Sequence, residues 1–347
     1  MYKRLFKGLF ATTILYLQGM KNVSILVPES SVIQAIADPQ YLFSVVNQFL
    51  AMNGKPHLFR VELVAVKKEI KLNNGMFSVQ AHTLLKDVKK TDLVIIPALF
   101  GNMAEAIQLN KRAQSWIVKQ YRQGAEVASL CVGAFLLAST GLLNGKKCST
   151  HWGFAHEFNK MFPRVTLADG HTVTEENGIY SSGGAHSYWN LLLHLVEKYT
   201  NRETAILASK YFAIDINRNS QLAFTIFNGQ KNHTDAAVKN AQEYIEHNVQ
   251  EKISVDEIAS QLALGRRSFE RRFRQATHNS VLEYIQRVKI EWAKRQLENS
   301  RKSISEIMYA VGYTDPKSFR DIFKKITGLT PIEYRNKYNK TKLTEDF

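Results

Sequence analysis

Between residues 23 and 212 the chain alternates short apolar runs with amphipathic stretches. Residues 23–27, 61–66, 93–96 and 126–130 read as buried strands, and residues 41–52, 111–123 and 189–199, with apolar positions at helical spacing, read as helices. This alternation predicts a parallel sheet with helices on both faces, whose ligands bind beyond the carboxyl ends of the strands.

After Asp235 the pattern becomes helical and says nearly the same thing twice. Ser254 to Phe269 (SVDEIASQLALGRRSF) is answered by Ser303 to Phe319 (SISEIMYAVGYTDPKSF). The echo continues through Phe273 and Phe323, Thr277 and Thr327, then Ser280 to Tyr284 and Thr330 to Tyr334. An internal repeat of this size is a copied supersecondary unit. Each copy opens on a Ser-x-x-Glu capping box, Ser254 with Glu257 and Ser303 with Glu306, so each begins a helix. Residues 263–265 and 312–314 break that helix. A second helix follows, with Phe269 and Phe273, or Phe319, Phe323 and Ile326, on its inner face. In the second copy Thr314 is the expected N-cap and Pro316 lies in the first turn.

With the phenylalanines turned inward, Arg267, Glu270, Arg271 and Arg274 share the outer face of the first copy, and Arg266 joins them at the helix start. Lys317, Arg320, Asp321 and Lys324 do the same in the second. A helix fits the major groove of duplex DNA, where Arg or Lys reads guanine while other basic residues hold phosphates. A charged face is often only a solvated one, but two registered copies with matching caps favour a bipartite reader.

Composition refines this picture. At 347 residues and 45% apolar content the chain suits two packed domains. Its net charge of +15 suggests a polyanionic partner. From Asp235 onward, however, 21 Lys and Arg face 16 Asp and Glu, whereas the preceding part has 25 against 15. The C-terminal part is therefore marked by clustering, five Arg between Arg266 and Arg274, and not by bulk charge. Two cysteines argue against a disulfide framework and for a reducing, cytoplasmic setting. At the N-terminus Lys3, Arg4 and Lys7 precede an apolar run from Leu9 to Leu17, too short to span a bilayer and without a small-residue cleavage site. Residues 1–20 are read as an extension without structural purpose, with Met20 as the candidate start. No membrane association is expected. His151, His156 and His171 do not make a metal spacing, and neither metal nor cofactor is expected.

Cys131 lies where a predicted strand runs into a helix, with Gly133 permitting the sharp turn. That is a nucleophile-elbow pattern, and a thiol at a helix N-terminus tends toward a lowered pKa. His151 follows as a partner for the thiol or as a helix-flanking histidine bonded to backbone. Glu29, Gly183 and Gly184 complete the candidate ligand pocket; His186 reads as a helix-cap residue. For Cys131 three readings stay open: a small buried hydrophobe, a ligand or redox sensor, and a catalytic nucleophile. Cys148 reads only as buried packing.

The stretch from Ile258 and Ala259 through Phe269 and Phe273, the linking segment Tyr284 to Ala293, and Gly312-Tyr313 through Pro331 to Arg335 resembles the AraC family of transcription regulators, roughly from Asp235 to Tyr338. The resemblance implies a seven-helix module with two helix-turn-helix motifs. Base contacts would come from Arg267, Glu270 and Arg271, then from Pro316, Lys317, Arg320 and Asp321. Pro316 offers no donor and Asp321 cannot hold phosphate, though it can accept from cytosine. The stretch Cys131-Val-Gly-Ala-Phe, Gly141 to Gly145, Thr150-His151-Trp152 and Ser181 to Gly184 resembles the flavodoxin-like, class I glutamine amidotransferase-like superfamily that includes the PfpI peptidases. It is similar to the form in which that domain precedes AraC modules in GlxA-type regulators. Catalytic members place a carboxylate on the loop after the first strand. Here Glu29 is available but Gln34 is nearer the expected place, and Val132 stands where PfpI peptidases carry histidine. Both departures weigh against an enzyme.

The expected organisation is an α/β sensing and dimerisation domain over 21–228, a connection at 229–234, an all-α DNA-binding domain over 235–340 and a tail at 341–347. The expected partners are double-stranded DNA, a small-molecule effector and a second copy of the chain, with RNA polymerase as a further candidate. The rival reading is a cysteine-dependent hydrolase or amidase tethered to DNA by its helical part.

Overall fold

The computed structural model describes residues 19–168, 170–216 and 220–339. The basic and apolar residues before Gln18 and the tail at 341–347 lie outside the described residues. The chain forms two compact units, one running to Gln221 and the other beginning at Leu222.

The first unit carries strands β1 (Lys21–Leu26), β2 (Phe59–Ala65), β3 (Glu69–Leu72), β4 (Phe77–Gln80), β5 (Thr83–Leu84), β6 (Leu93–Ile96), β7 (Glu126–Ser129), β8 (Lys147–Cys148), β9 (Thr166–Leu167), β10 (Val173–Glu176) and β11 (Ile179–Ser182). Its helices are α1 (Gln34–Met52), α2 (Met103–Leu109), α3 (Lys111–Arg122), α4 (Ala134–Ser139), α5 (Ala155–Met161), α6 (Tyr188–Tyr199) and α7 (Arg202–Tyr211). The main sheet runs in the order β10-β11-β7-β6-β1-β2-β5, parallel throughout except for the β10–β11 pair. The four predicted strands form its middle. The flanking strands escape an apolar pattern for physical reasons: β5 has two residues, β10 is half exposed, and three of the four residues of buried β11 (IYSS) carry hydroxyls. Helix α1 starts upstream of the predicted Tyr41 because Pro39 sits inside it, buried, where a pattern reading stops.

The chain leaves β1 on one side for β2 and returns on the other with β6. The carboxyl ends of β1, β6 and β7 therefore border the switch-point crevice of a flavodoxin-like sheet. Ile25, Val94, Ile95, Val127 and Phe135 are among the fully buried residues of its core.

Among the described residues the second unit has seven helices: α8 (Ala236–His247), α9 (Val255–Gln261), α10 (Arg266–Thr277), α11 (Val281–Asn299), α12 (Ile304–Ala310), α13 (Pro316–Thr327) and α14 (Pro331–Tyr338). The pairs α9–α10 and α12–α13 are the two copies, joined by α11. Phe269, Phe273, Phe319 and Phe323 are buried as the pattern predicts, each burial stabilising by about 2–3 kcal/mol.

The caps differ from expectation in two places. Ser303 with Glu306 forms the capping box, as do Ser280 with Glu283 and Thr330 with Glu333. Ser254 occupies the N-cap of α9 but accepts no backbone N–H; Asp256 and Glu257 supply that helix start with negative charge instead. Helix α13 is capped by Asp315, whose carboxylate accepts the Ser318 N–H at 2.7 Å, and not by Thr314. Pro316 then takes the first helical position, where its missing N–H leaves nothing unpaired. The turn in the first copy is made by Ala263 at φ 52°, not by Gly265, while the matching Gly312 in the second copy has φ 72°.

Candidate functional site

Two regions carry the candidate chemistry. In α10 the Phe269 and Phe273 rings meet edge to face at 5.7 Å in the core, which sets the rotation of the helix. Arg267, Arg271 and Arg274 are exposed on the opposite side. Arg266 pairs with Asp256 at 2.8 Å and with Glu270 at 3.2 Å, so this arginine and Glu270 partly neutralise each other. Arg272, which sequence reading counts in the basic cluster, serves the fold. Its guanidinium donates twice to Asp235, at 2.8 and 2.7 Å, and Asp235 itself caps α8 by accepting the Val238 N–H. The Arg272 hydrogen bond holds the Asp235 carboxyl below the usual range. The signal was available in the spacing: Arg272 lies three residues after Phe269, on the flank of the buried face.

In α13 Lys317, Arg320, Asp321 and Lys324 are exposed, opposite Phe319 and Phe323. Among the described residues no ion pair engages these four, or Arg267, Arg271 and Arg274. Such a face can donate to base edges and phosphates without first breaking a partner.

The segment from Leu222, including the expected connection at 229–234, is tied to the helical unit. Lys294 donates to Thr225 O at 2.5 Å, and Glu291, its ion-pair partner at 2.7 Å, accepts the Phe227 N–H at 3.1 Å. Gln230 meets Gln242 and Asn279, and Tyr338 donates to Ala223 O. No sequence motif announces this strap; its partners are set by packing along α11.

In the α/β unit Cys131 stands at the carboxyl end of β7, at the head of a short 3-10 turn that leads into α4. Its φ of 55° makes it the strained residue of the elbow. Gly133 has an ordinary φ of −58° and serves close approach instead: a Cβ there would lie 2.5 Å from Pro97 O and 2.8 Å from Ile96 O. The Cys131 N–H donates to Ser182 Oγ at 3.1 Å, and Thr150 Oγ1 donates to Cys131 O at 3.2 Å. The expected activation of the thiol is corrected: burial pushes it up to about 11, outweighing the Val132 N–H that favours the thiolate. With six residues, α4 adds little dipole.

His151 is placed as a helix-flanking residue. Its Nδ1 accepts the Gly153 N–H at 3.0 Å, and its ring lies 5.3 Å from Trp152. Burial pulls the imidazole below its usual pKa. Among the described residues no hydrogen bond joins it to the Cys131 thiol. Glu29 is paired with Lys67 at 2.8 Å, and its backbone is held by Asn110. Gly183 and Gly184 receive Gln221: the Gly184 N–H donates to its Oε1 at 2.8 Å, and its Nε2 donates to Thr150 O at 3.0 Å. A Cβ at Gly183 would meet that side chain at 2.6 Å. Cys148 is fully buried, its thiol pushed up to about 12 by burial.

Two neighbours of the cysteine escape a sequence reading. Tyr188, at the start of α6, donates to Asp38 Oδ2 at 2.6 Å. Burial, then Asp38, then the Cys131 charge all raise the Tyr188 phenol. Asp38 lies one turn beyond Gln34 on α1, on the same face, so a carboxylate reaches this neighbourhood from the helix and not from the loop. Among the described residues no group of three or more His, Cys, Asp or Glu side chains is placed to hold a metal ion, and no helix is long and apolar enough to cross a membrane.

Comparison with known proteins agrees with both halves. Residues 42–198 match the DJ-1/PfpI family, and residues 258–337 match a helix-turn-helix domain. The HTH-type transcriptional regulator GbdR of Pseudomonas aeruginosa (strain UCBPP-PA14) is 28% identical over 224 residues, covering 64% of this chain and 60% of the relative. The HTH-type transcriptional regulator GlxA of Rhizobium meliloti (strain 1021) is 24% identical over 219 residues, covering 62% of this chain and 67% of the relative. The chain thus spans about three fifths of the length of the first of these curated relatives. A solved structure from Vibrio parahaemolyticus, assigned as a candidate transcriptional regulator, overlays with a TM-score of 0.50 at 23% identity, over 55% of this chain and 98% of that one, a likeness of fold. The chain thus carries a DJ-1/PfpI domain followed by an AraC-type helix-turn-helix domain, and the relatives it resembles are HTH-type transcriptional regulators.

Proposed function

We propose that the protein is a transcription regulator that binds duplex DNA sequence-specifically through α10 and α13, and that its DJ-1/PfpI domain senses a small-molecule or redox signal. The observation that carries this reading is the pair of matched helices whose phenylalanines face the core while Arg267, Arg271 and Arg274 on one, and Lys317, Arg320 and Lys324 on the other, are exposed with no ion pair among the described residues. Arg267 and Arg271 are assigned to base edges, and Arg274 and Lys324 to phosphates. Arg266 and Glu270 act as an oriented pair, Glu270 and Asp321 being able to accept from cytosine. Lys317 and Arg320 read through α13, with Pro316 offering only contact. The first helix dominates and the second refines.

The DJ-1/PfpI domain is assigned no catalytic role, because the Cys131 thiol is held neutral and His151 is engaged with backbone. Effector binding near Cys131 would favour one arrangement of the DNA-binding modules in a homodimer, a population shift. RNA polymerase is a candidate further partner, and the setting is the cytoplasm. The rival is a DNA-tethered thiol hydrolase. Cys131→Ser leaves specific DNA binding intact under both readings and abolishes turnover only under the rival. The direct test is Arg271→Ala, expected to cost about 1–3 kcal/mol on a selected site and to relax specificity at one base pair. An equal loss on selected and random duplexes would remove the base-contact role.

A further inference from the structure

The helical unit has two apolar cores, not one. The first gathers Val238, Ile258, Phe269, Phe273 and Ile285; the second gathers Ile290, Ile307, Phe319, Phe323 and Tyr334. Helix α11 runs through both, and the break falls between Ile285 and Ile290. Lys289 stands at that break and is 6% exposed. Its ammonium donates to Glu251 O, in the loop after α8, at 2.8 Å, and to Val311 O, at the C-cap of α12, at 2.7 Å. The two halves approach closely here. A Cβ at Gly312 would lie 3.0 Å from the Lys289 ammonium, 3.3 Å from Gln250 O and 3.4 Å from Glu251 O, and Gly312 has φ 72°. A buried ammonium costs desolvation that an aliphatic side chain avoids, so its use at a seam points to register more than to stability.

We infer that Lys289 sets the separation and angle of the two recognition helices, as a positioning residue that does not itself touch DNA. The inference rests on the reading that α10 and α13 both enter the major groove. Two such helices on one face of a duplex must match segments about one turn, roughly 34 Å, apart, so one added base pair moves the second segment by about 3.4 Å and about a tenth of a turn. Apolar packing is non-directional and lets each half rock about α11. Two directed hydrogen bonds from one ammonium hold both carbonyl-bearing segments to a single point.

The experiment uses the full chain and a duplex selected from a randomised pool, with one base pair inserted or removed between the two protected segments. Wild type is expected to lose about tenfold or more in affinity per change of spacing. Lys289→Met keeps the aliphatic stem and removes the donors, and is expected to shrink that penalty to about threefold or less. A merely destabilised protein would lose active fraction equally on every spacing and leave the ratio unchanged. Equal penalties in wild type and Lys289→Met overturn the inference. No penalty in wild type removes the two-reader reading, and the inference with it. If Lys289→Met does not melt cooperatively, Gly312→Ala is measured in its place. Its methyl group displaces the ammonium from Val311 O and is expected to relax the spacing penalty likewise; a wild-type penalty in that variant overturns the inference.

Discussion

The Cys131 thiol should be slow to alkylate at neutral pH, and its environment gives the magnitude. Burial raises it from an ordinary 9.0 to about 11. At pH 7.5 roughly one thiol in 3000 is then ionised, against about one in 30 for an unperturbed cysteine, a hundredfold deficit. A more basic thiolate is intrinsically more nucleophilic, which returns about tenfold for a thiol pKa two units higher. The net expectation is labelling about tenfold slower than free cysteine from ionisation alone, and slower again because Cys131 is only 5% exposed. The measurement is a time course with iodoacetamide from pH 7 to 10, followed by peptide mass spectrometry to separate Cys131 from Cys148. The rate at Cys131 should climb about tenfold per pH unit without a plateau, and Cys148, held near 12 in full burial, should lag behind it. The same shift bears on stability. The folded chain favours the neutral thiol, so stability is fully present below the ordinary thiol range and falls as pH rises from about 9 toward about 11. A labelling rate that levels off by pH 8 would mean an activated thiolate, and would refute the burial argument.

Two further expectations concern local geometry. Gly133→Ala places a methyl carbon 2.5 Å from Pro97 O, and should cost at least about 2 kcal/mol, read as a lowered Tm; a loss below about 0.5 kcal/mol would mean that the elbow does not press on β6. Ser303→Ala should cost about 1 kcal/mol in denaturant unfolding, because a complete capping box is lost. Ser254→Ala, whose hydroxyl caps nothing, should cost less than about 0.5 kcal/mol, and matched losses would contradict the difference between the two copies.

Much of the helical unit was legible because its information is local. A helix carries its own face: once Phe269 and Phe273 go inward, Arg267, Arg271 and Arg274 must point outward, whatever the rest of the chain does. The same holds for the sheet's middle strands, whose apolar runs are long enough to declare themselves. Legibility failed where a group's role depends on a residue far along the chain. Arg272 belongs to Asp235, Lys289 to Glu251 and Val311, and Gln221 to the Gly183–Gly184 pair.

The cysteine shows the same division. The amino-acid pattern alone placed Cys131 at a strand-to-helix elbow and named the fold around it. It suggested a lowered pKa, because a helix start is a local feature. Only the tertiary structure decided the thiol's state, since desolvation is the summed effect of everything packed around it, including Tyr188 from α6, and no window of sequence records that sum.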